Sequence, residues 1–123
     1  MNNLHHSHRI LILTQKVDIS DDILSFFHRW IGEFAKRCKS VIAICLQKGE
    51  YNLPANVKVL SLGKEEYSHH SHVIRRLVSL YRFYKYIWRL RKNYDAVFVH
   101  MNQEYIILGG LLWRLWGKKV ALW

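Results

Sequence analysis

The chain has 123 residues, of which 50% are hydrophobic and 14% aromatic, and its formal net charge is +10. This composition excludes a disordered chain and allows one domain with a single core. The excess of positive charge favours anionic partners: phosphate-bearing ligands, nucleic acid or an acidic membrane surface.

Two cysteines, Cys38 and Cys45, occur without a CxxC motif or a larger cysteine framework. We therefore expect reduced thiols in a cytoplasmic protein, with Cys45 buried in a strand. The first apolar run, 10–13, is too short for a signal peptide, and no apolar segment reaches the roughly 20 residues that span a bilayer. Any membrane contact is therefore expected to be peripheral.

Eight elements are predicted in chain order from apolar runs and helical periodicity. They are a strand over 9–14, a helix over 23–37 capped by Asp21 or Asp22, strands over 40–46 and 57–62, a helix over 73–92, a strand over 95–99, a helix over 103–116 and a strand over 119–123. Residues 1–8 are expected to form a frayed tail, and 63–72 a flexible loop. Gly117 is placed to end the last helix.

Buried strands that alternate with helices predict an α/β fold with an open, mostly parallel sheet of about five strands. The right-handed crossover rule gives the strand order 3-2-1-4-5, with helices on both faces. This is a Rossmann-like arrangement, in which ligands bind outside the carboxyl ends of the strands.

The first strand is followed by a polar segment, 15–20, that is predicted to be a loop at this ligand-binding edge. A dinucleotide-binding fold would carry GxGxxG here, but no glycine precedes Gly32, which argues against an NAD or FAD site. Gln15, Lys16 and Asp18 are candidates for contacting a polar ligand across the cleft. The alternative is a plain solvated loop.

The fourth strand, Ala96 to Val99, is followed directly by His100 and Asn102. A histidine at the carboxyl end of a strand can act as a base or donate to a ligand oxygen. The alternative is a histidine that caps the next helix or fills a gap. His100 and Asn102 are therefore candidates for contacting a ligand in the cleft of the predicted sheet, which the resemblance described below implies is an acceptor cleft.

The long helix over 73–92 carries basic residues at helical spacing and apolar or aromatic residues on another side. Basic amphipathic helices of this kind suit an anionic membrane surface. The candidate membrane-surface residues are Arg75, Arg82, Lys85, Arg89 and Lys92. The alternative is a helix that packs its apolar side on the core and leaves its basic side in solvent.

The tetrapeptide His-His-Ser-His occurs at 5–8 and again at 69–72. Such clusters bind Zn²⁺ or Ni²⁺ adventitiously, but no carboxylate or cysteine framework accompanies them, so no metal site is predicted. Gly109 and Gly110 lie inside a predicted helix, where glycine is unfavourable, and close packing of helix on sheet is the expected reason.

With these segments placed, the chain resembles the N-terminal domain of GT-B glycosyltransferases of the retaining family-4 type. The resemblance covers nearly the whole chain and is carried by the order and spacing of six segments: 10–16, 26–30, 56–60, 95–102, 108–113 and 117–123. It departs from the family where a glycine-rich loop is replaced by residues 15–18. The family's cleft histidine would follow Trp123.

The resemblance implies the acceptor-binding part of a hexosyltransferase-type enzyme that moves a sugar from a nucleotide-sugar donor to a lipid-linked or saccharide hydroxyl. It places the protein at the cytoplasmic membrane face, in polysaccharide biosynthesis. Residues 1–123 would be a single incomplete domain. The donor would bind mainly a missing C-terminal domain, so we expect no cofactor and no catalytic residue in this chain, and no activity from it alone.

The expected partners are a saccharide or lipid-linked acceptor and an anionic membrane surface, without nucleic acid. A hypothesis from another class remains open: a small basic, non-catalytic module that binds nucleic acid or anionic membrane. Charge and interleaved aromatic residues favour it, although the sequence contains no recognised nucleic-acid motif.

Overall fold

The computed structural model describes residues 8–22, 25–66, 69–100 and 103–122. Its elements are β1 (Arg9–Val17), α1 (Ser25–Arg37), β2 (Ser40–Lys48), β3 (Val57–Ser61), α2 (His72–Arg89), β4 (Ala96–Val99), α3 (Glu104–Leu115) and β5 (Lys119–Leu122). All strand pairs are parallel, and the sheet order β3-β2-β1-β4-β5 confirms the predicted topology.

The central strand β1 supplies both halves of the core. Leu11 pairs in register with Ile42 of β2 and Val97 of β4, and all three lie in the cluster covered by α2 and α3. Ile12 belongs to the opposite cluster, which α1 covers with Phe27. The expected helices on both faces are therefore present, with one helix on one side and two on the other.

β1 continues three residues beyond its predicted end, so Gln15 and Lys16 lie in a strand and not in a loop. Lys16 pairs in register with Gln47, and Val17 with Lys48. Val17 is fully buried, and its carbonyl accepts the N–H of Gly49 at 2.9 Å. The polar side chains concealed this extension, because hydropathy alone does not show that main-chain pairing continues.

Of the glycine predictions for α3, the one for Gly117 is confirmed, whereas the expected packing of Gly109 and Gly110 on the sheet is wrong: Gly109 is close to Trp113 of the same helix, and Gly110 has room for a Cβ. Gly117 has φ +72°, the left-handed conformation that ends helices. A Cβ on Gly109 would lie 2.8 Å from the ring of Trp113, so a larger residue there would force this buried ring to move. Cys45 is also fully buried in β2, as predicted.

α2 begins at His72, where the Ser71 hydroxyl accepts the N–H of Ile74 at 3.3 Å. Ahead of this cap, Gly63 to Glu66 form a hydrogen-bonded turn in which the N–H of Glu66 donates to the Gly63 carbonyl at 3.0 Å. The helix ends at Arg89, three residues before the predicted boundary.

The orientation of α2 differs from the core-facing alternative. Only Phe83 and Ile87 are buried among its residues. Leu77, Tyr81 and Trp88, which that alternative places on the core, are 61%, 60% and 53% exposed. The apolar side of α2 therefore faces largely outward, and part of its basic side turns towards β3.

Candidate functional site

His100 lies in a closed aromatic environment at the end of β4. Its side chain is only 4% exposed, and its ring stacks on Phe27 with centroids 4.0 Å apart and planes 7° apart. Its Nδ1 lies 3.2 Å from the Thr14 hydroxyl. Burial lowers the pKa of His100, which favours the neutral imidazole. This setting fits the gap-filling alternative better than a role in proton transfer.

Two of the candidates that follow the first predicted strand, Lys16 and Asp18, form an ion cluster with Asp21. Lys16 Nζ lies 2.8 Å from a carboxylate oxygen of Asp21 and 3.7 Å from one of Asp18. The hydrogen bond to Asp21 is the main cause that raises the pKa of Lys16. Asp18 also accepts the N–H of Ser20 at 2.9 Å. These contacts tie the end of β1 to the segment before α1, and they leave the charges of Lys16 and Asp18 compensated.

The residues predicted to line one cleft therefore do not all lie close to one another. Lys16 and Asp18 meet each other, Gln15 is half-buried in β1, and His100 packs on Thr14 and α1 instead. Asn102 lies outside the described residues.

The sequence analysis did not single out His28 of α1. This side chain is 8% exposed, and its Nε2 accepts the N–H of Asn52 at 3.0 Å. Burial is the main cause that lowers its pKa. The available signal was its position three residues before Ile31, next to the apolar stripe of the helix.

No cluster of three or more potential metal ligands occurs in the described ranges. Of the first His-His-Ser-His segment, only His8 is described. In the second, Ser71 caps α2 and His72 begins it.

The outward side of α2 joins that of α3 in one continuous surface. The hydroxyl of Tyr84 donates to the Leu108 carbonyl at 2.8 Å, and the Trp88 and Trp116 rings meet edge-to-face at 5.6 Å. We call the resulting surface the α2–α3 apolar face. Its exposed members are Val73, Ile74, Leu77, Tyr81, Tyr84, Trp88, Ile107, Leu111 and Leu115.

Cationic side chains border this face. Lys85 Nζ lies 5.7 Å from the centroid of the Tyr81 ring, and the Arg91 guanidinium 5.1 Å from that of Trp88. Arg89 and Arg114 are exposed on the same two helices. The border therefore combines aromatic rings with positive charge.

The five candidate membrane-surface residues do not all belong to this border. Lys85 and Arg89 flank the apolar face, and Lys92 is exposed beyond the end of α2. Arg82 instead donates to Glu66 at 2.7 Å, and Arg75 is half-buried near the start of the helix. Within the described ranges, none of the helices has both the length and the apolar character needed to cross a bilayer.

No protein-family model matches this sequence, and a search of curated proteins finds no match. Among solved structures, the chain is similar to the C-terminal domain of a hydrogenase from Pyrococcus furiosus. The TM-score is 0.56 with 8% sequence identity, and the match covers 94% of this chain and 89% of that domain. At this identity, the likeness shows the fold alone.

These comparisons overturn the glycosyltransferase resemblance and the enzymatic activity that it implied. The similar solved structure is a hydrogenase domain, and neither a family model nor a curated protein supports a glycosyltransferase. The physical reason for the error is that parallel strands, crossover helices and a basic helix are shared by many α/β folds of unrelated function. The order and spacing of these elements identified the fold and not the family.

Proposed function

We propose that this chain is a non-catalytic binding module that docks peripherally on an anionic membrane surface through the α2–α3 apolar face. The observation that carries the proposal is the exposure of large apolar side chains on two adjacent helices. Ile107, Leu111 and Leu115 are 81%, 69% and 72% exposed on α3, beside the exposed side chains of α2. Contiguous apolar surfaces of this kind mark interaction sites.

The chemistry of the border favours a membrane over another protein. Tyrosine and tryptophan are the residues that settle at the level of lipid headgroups, because each has an apolar body and a polar tip. Lys85, Arg89 and Arg114 can reach anionic headgroups from the same face, and each cation near such a surface contributes about 1 kcal/mol. The net charge of +10 acts in the same direction.

Nucleic acid is the less favoured partner. A nucleic-acid surface would need cations across its middle to contact successive phosphates. Here the middle is aliphatic and aromatic, whereas Arg82 is engaged with Glu66.

The test is flotation of the full chain with vesicles of phosphatidylcholine alone and of phosphatidylcholine with phosphatidylglycerol. We expect binding to the anionic vesicles that weakens with added salt. The double variant Lys85→Gln, Arg89→Gln should bind about thirtyfold more weakly, as expected for two interfacial charges of about 1 kcal/mol each. The matched control, Lys36→Gln with Arg37→Gln in the last turn of α1, removes the same charge from the opposite face and should bind within about twofold of the unmodified chain.

A second double variant tests the contribution of the apolar side chains to vesicle binding. Leu77→Ser with Leu111→Ser should weaken binding at least about tenfold, since each removes a buried aliphatic side chain from the interface. Equal binding to neutral and anionic vesicles contradicts the proposal. So does tight duplex or single-strand DNA binding without lipid binding. A stable dimer that the two serine substitutions dissociate, with no vesicle binding, would assign the face to a second copy of the chain.

A further inference from the structure

A crevice opens at the carboxyl edge of the sheet, on the side covered by α2 and α3. It has a volume of about 190 Å³ and lies between the first turns of the two helices, with Leu46 of β2 beside it. This edge is where open parallel sheets bind ligands. The crevice is separate from the α2–α3 apolar face, which lies along the outward sides of the helices.

Cationic groups converge on this crevice from two segments. Lys64 comes from the turn after β3, and Arg75 and Arg76 come from the first turn of α2. One carboxylate is present: Glu104 lies 3.4 Å from Arg76 Nη2, so it compensates that one guanidinium. Lys64 and Arg75 remain as an excess of positive charge, and the amino ends of α2 and α3 add their dipoles to it.

Arg75 supplies an independent indication of a ligand. Its Nε is buried and has no hydrogen-bond partner within the described part of the chain, the one side-chain atom there with this property. Its Nη2 lies 3.5 Å from Nδ1 of His72, a long contact. A buried guanidinium N–H without an acceptor is unfavourable by about 1–3 kcal/mol. An anion in the crevice would supply the missing acceptor once the Arg75 side chain turns its Nε towards it.

The lining also contains neutral groups suited to an organic ligand. Leu80 and Leu108 provide apolar contacts, and the hydroxyl groups of Ser79 and Tyr105 lie on residues of the same wall. A small volume, an excess of two cations and an apolar wall fit a compact ligand with one doubly charged end. A single carboxylate would leave one of the two cations unmatched.

We infer that this crevice binds a phosphate monoester, with Arg75 and Lys64 as ligands of its phosphoryl oxygens. Arginine binds such a group through parallel N–H···O bonds, and lysine binds it as a point charge. The phosphate monoester can belong to a small soluble molecule or to a lipid headgroup such as phosphatidic acid. This inference does not rest on membrane docking by the α2–α3 apolar face.

The test is calorimetric titration of the full chain with inorganic phosphate and with glycerol 3-phosphate, with glycerol as a blank. We expect saturable binding of both phosphates, tighter for the ester because its carbon chain contacts the apolar wall. Arg75→Gln should weaken binding about tenfold or more, the effect of losing a charged hydrogen bond. Lys64 is exposed. Lys64→Gln is therefore the variant that keeps the fold intact if Arg75→Gln does not, and it should weaken binding several-fold.

The control is Arg37→Gln in α1, which lowers the net charge equally at a distant surface and should bind both phosphates within about twofold of the unmodified chain. Absence of saturable binding overturns the inference, as does equal weakening by Arg37→Gln or no weakening by Lys64→Gln. Vesicles with phosphatidic acid or with phosphatidylglycerol then distinguish the two sources. A preference for phosphatidic acid that Lys64→Gln abolishes assigns the headgroup, and binding of the soluble ester without that preference assigns the soluble ligand.

Discussion

The indole N–H of Trp113 donates to the hydroxyl of Tyr94 at 3.1 Å, although both side chains are fully buried. The Tyr94 hydroxyl in turn donates to the Ile87 carbonyl at 3.1 Å. Burial raises the pKa of Tyr94 to about 12, so the hydroxyl keeps its proton at neutral pH. This chain of two hydrogen bonds joins α3, the segment before β4, and α2 inside one core.

Removing this hydroxyl should destabilise the fold. Tyr94→Phe leaves the Trp113 N–H buried without its acceptor, so the free energy of unfolding should fall by about 1–3 kcal/mol. Urea unfolding followed by circular dichroism measures this change. Tyr51 is 44% exposed, so Tyr51→Phe should change the same quantity by less than about 0.5 kcal/mol. Equal effects of the two substitutions would show that the buried hydrogen bond contributes little.

The adjacent glycines of α3 should respond oppositely to alanine. A Cβ on Gly109 meets the Trp113 ring at 2.8 Å, whereas one on Gly110 meets only Ile106, at 4.0 Å. Gly109→Ala should therefore lower the free energy of unfolding by about 1–3 kcal/mol through overpacking. Gly110→Ala should raise it by up to about 1 kcal/mol, because alanine favours the helix. Thermal and urea unfolding of the two variants test this, and stabilisation by both would refute the packing of Trp113 on Gly109.

Acid should destabilise the protein through His100. Burial lowers its pKa in the folded state below the ordinary value of 6.5, so the unfolded chain binds more protons between those two values. The free energy of unfolding is then at its full value above about pH 6.5 and falls as the pH drops towards the lowered pKa.

Urea unfolding at pH 7.5, 6.5 and 5.5 measures this slope. His100→Gln should lower stability at pH 7.5, because the stack on Phe27 is lost, and it should flatten the slope. His69 is exposed, and His69→Gln is the matched control for the loss of an imidazole. His28, whose pKa burial also lowers, contributes the part of the slope that remains in His100→Gln. An unaltered slope in that variant would rule out His100 as a source of the acid sensitivity.

The two thiols should differ in reactivity. Burial raises the pKa of Cys45 to about 12, and Cys38 is only half-buried, with its pKa raised less. Because the thiolate is the reactive form, a disulfide reagent at pH 8 should label Cys38 first in the native chain. In Cys38→Ser, labelling of Cys45 should require unfolding and should increase with urea. Rapid labelling of native Cys38→Ser would contradict the burial of Cys45.

Docking on anionic vesicles should change the environment of Trp88. This side chain is 53% exposed, and transfer to the headgroup region should shift its fluorescence to shorter wavelength. The shift should be lost in Trp88→Phe. It should persist in Trp30→Phe, which changes an indole that is 42% exposed on α1. A shift that persists in Trp88→Phe would place the contact on another surface.

The middle of the sheet could be predicted because β1, β2 and β4 contain continuous apolar runs. Leu11 and Val97 are buried in strands that helices cover on both faces of the sheet. Such strands appear in a sequence as near-continuous hydrophobic runs. The end of β1 could not be predicted from hydropathy. Lys16 is polar and forms an ion pair with Asp21, but its main chain still pairs with Gln47 of β2. Ion pairing between residues five apart is not visible in a hydropathy pattern.

The crevice was missed for a related reason. Helical periodicity separates the sides of α2, but it does not say which side contacts the sheet. Arg75 and Arg82 were therefore grouped with Lys85 as membrane-surface candidates. In the structure, Arg75 and Arg82 lie beside the segment that follows β3, whereas Lys85 lies over the Tyr81 ring. A signal was present in the pair Arg75 and Arg76, which falls in the first helical turn after a strand, at the ligand-binding edge of such sheets.

The border strand β5 has a consequence for behaviour at high protein concentration. All four of its residues, Lys119–Leu122, are exposed, and its outer side pairs with no other strand in the described part of the chain. Unpaired amide and carbonyl groups in a row are a template for strand addition, and Val120 and Leu122 supply apolar contacts for it. Lys119 places a charge at that margin and opposes the stacking of identical strands. Aggregation on storage should therefore begin at β5, and a second charge at Val120 should delay it.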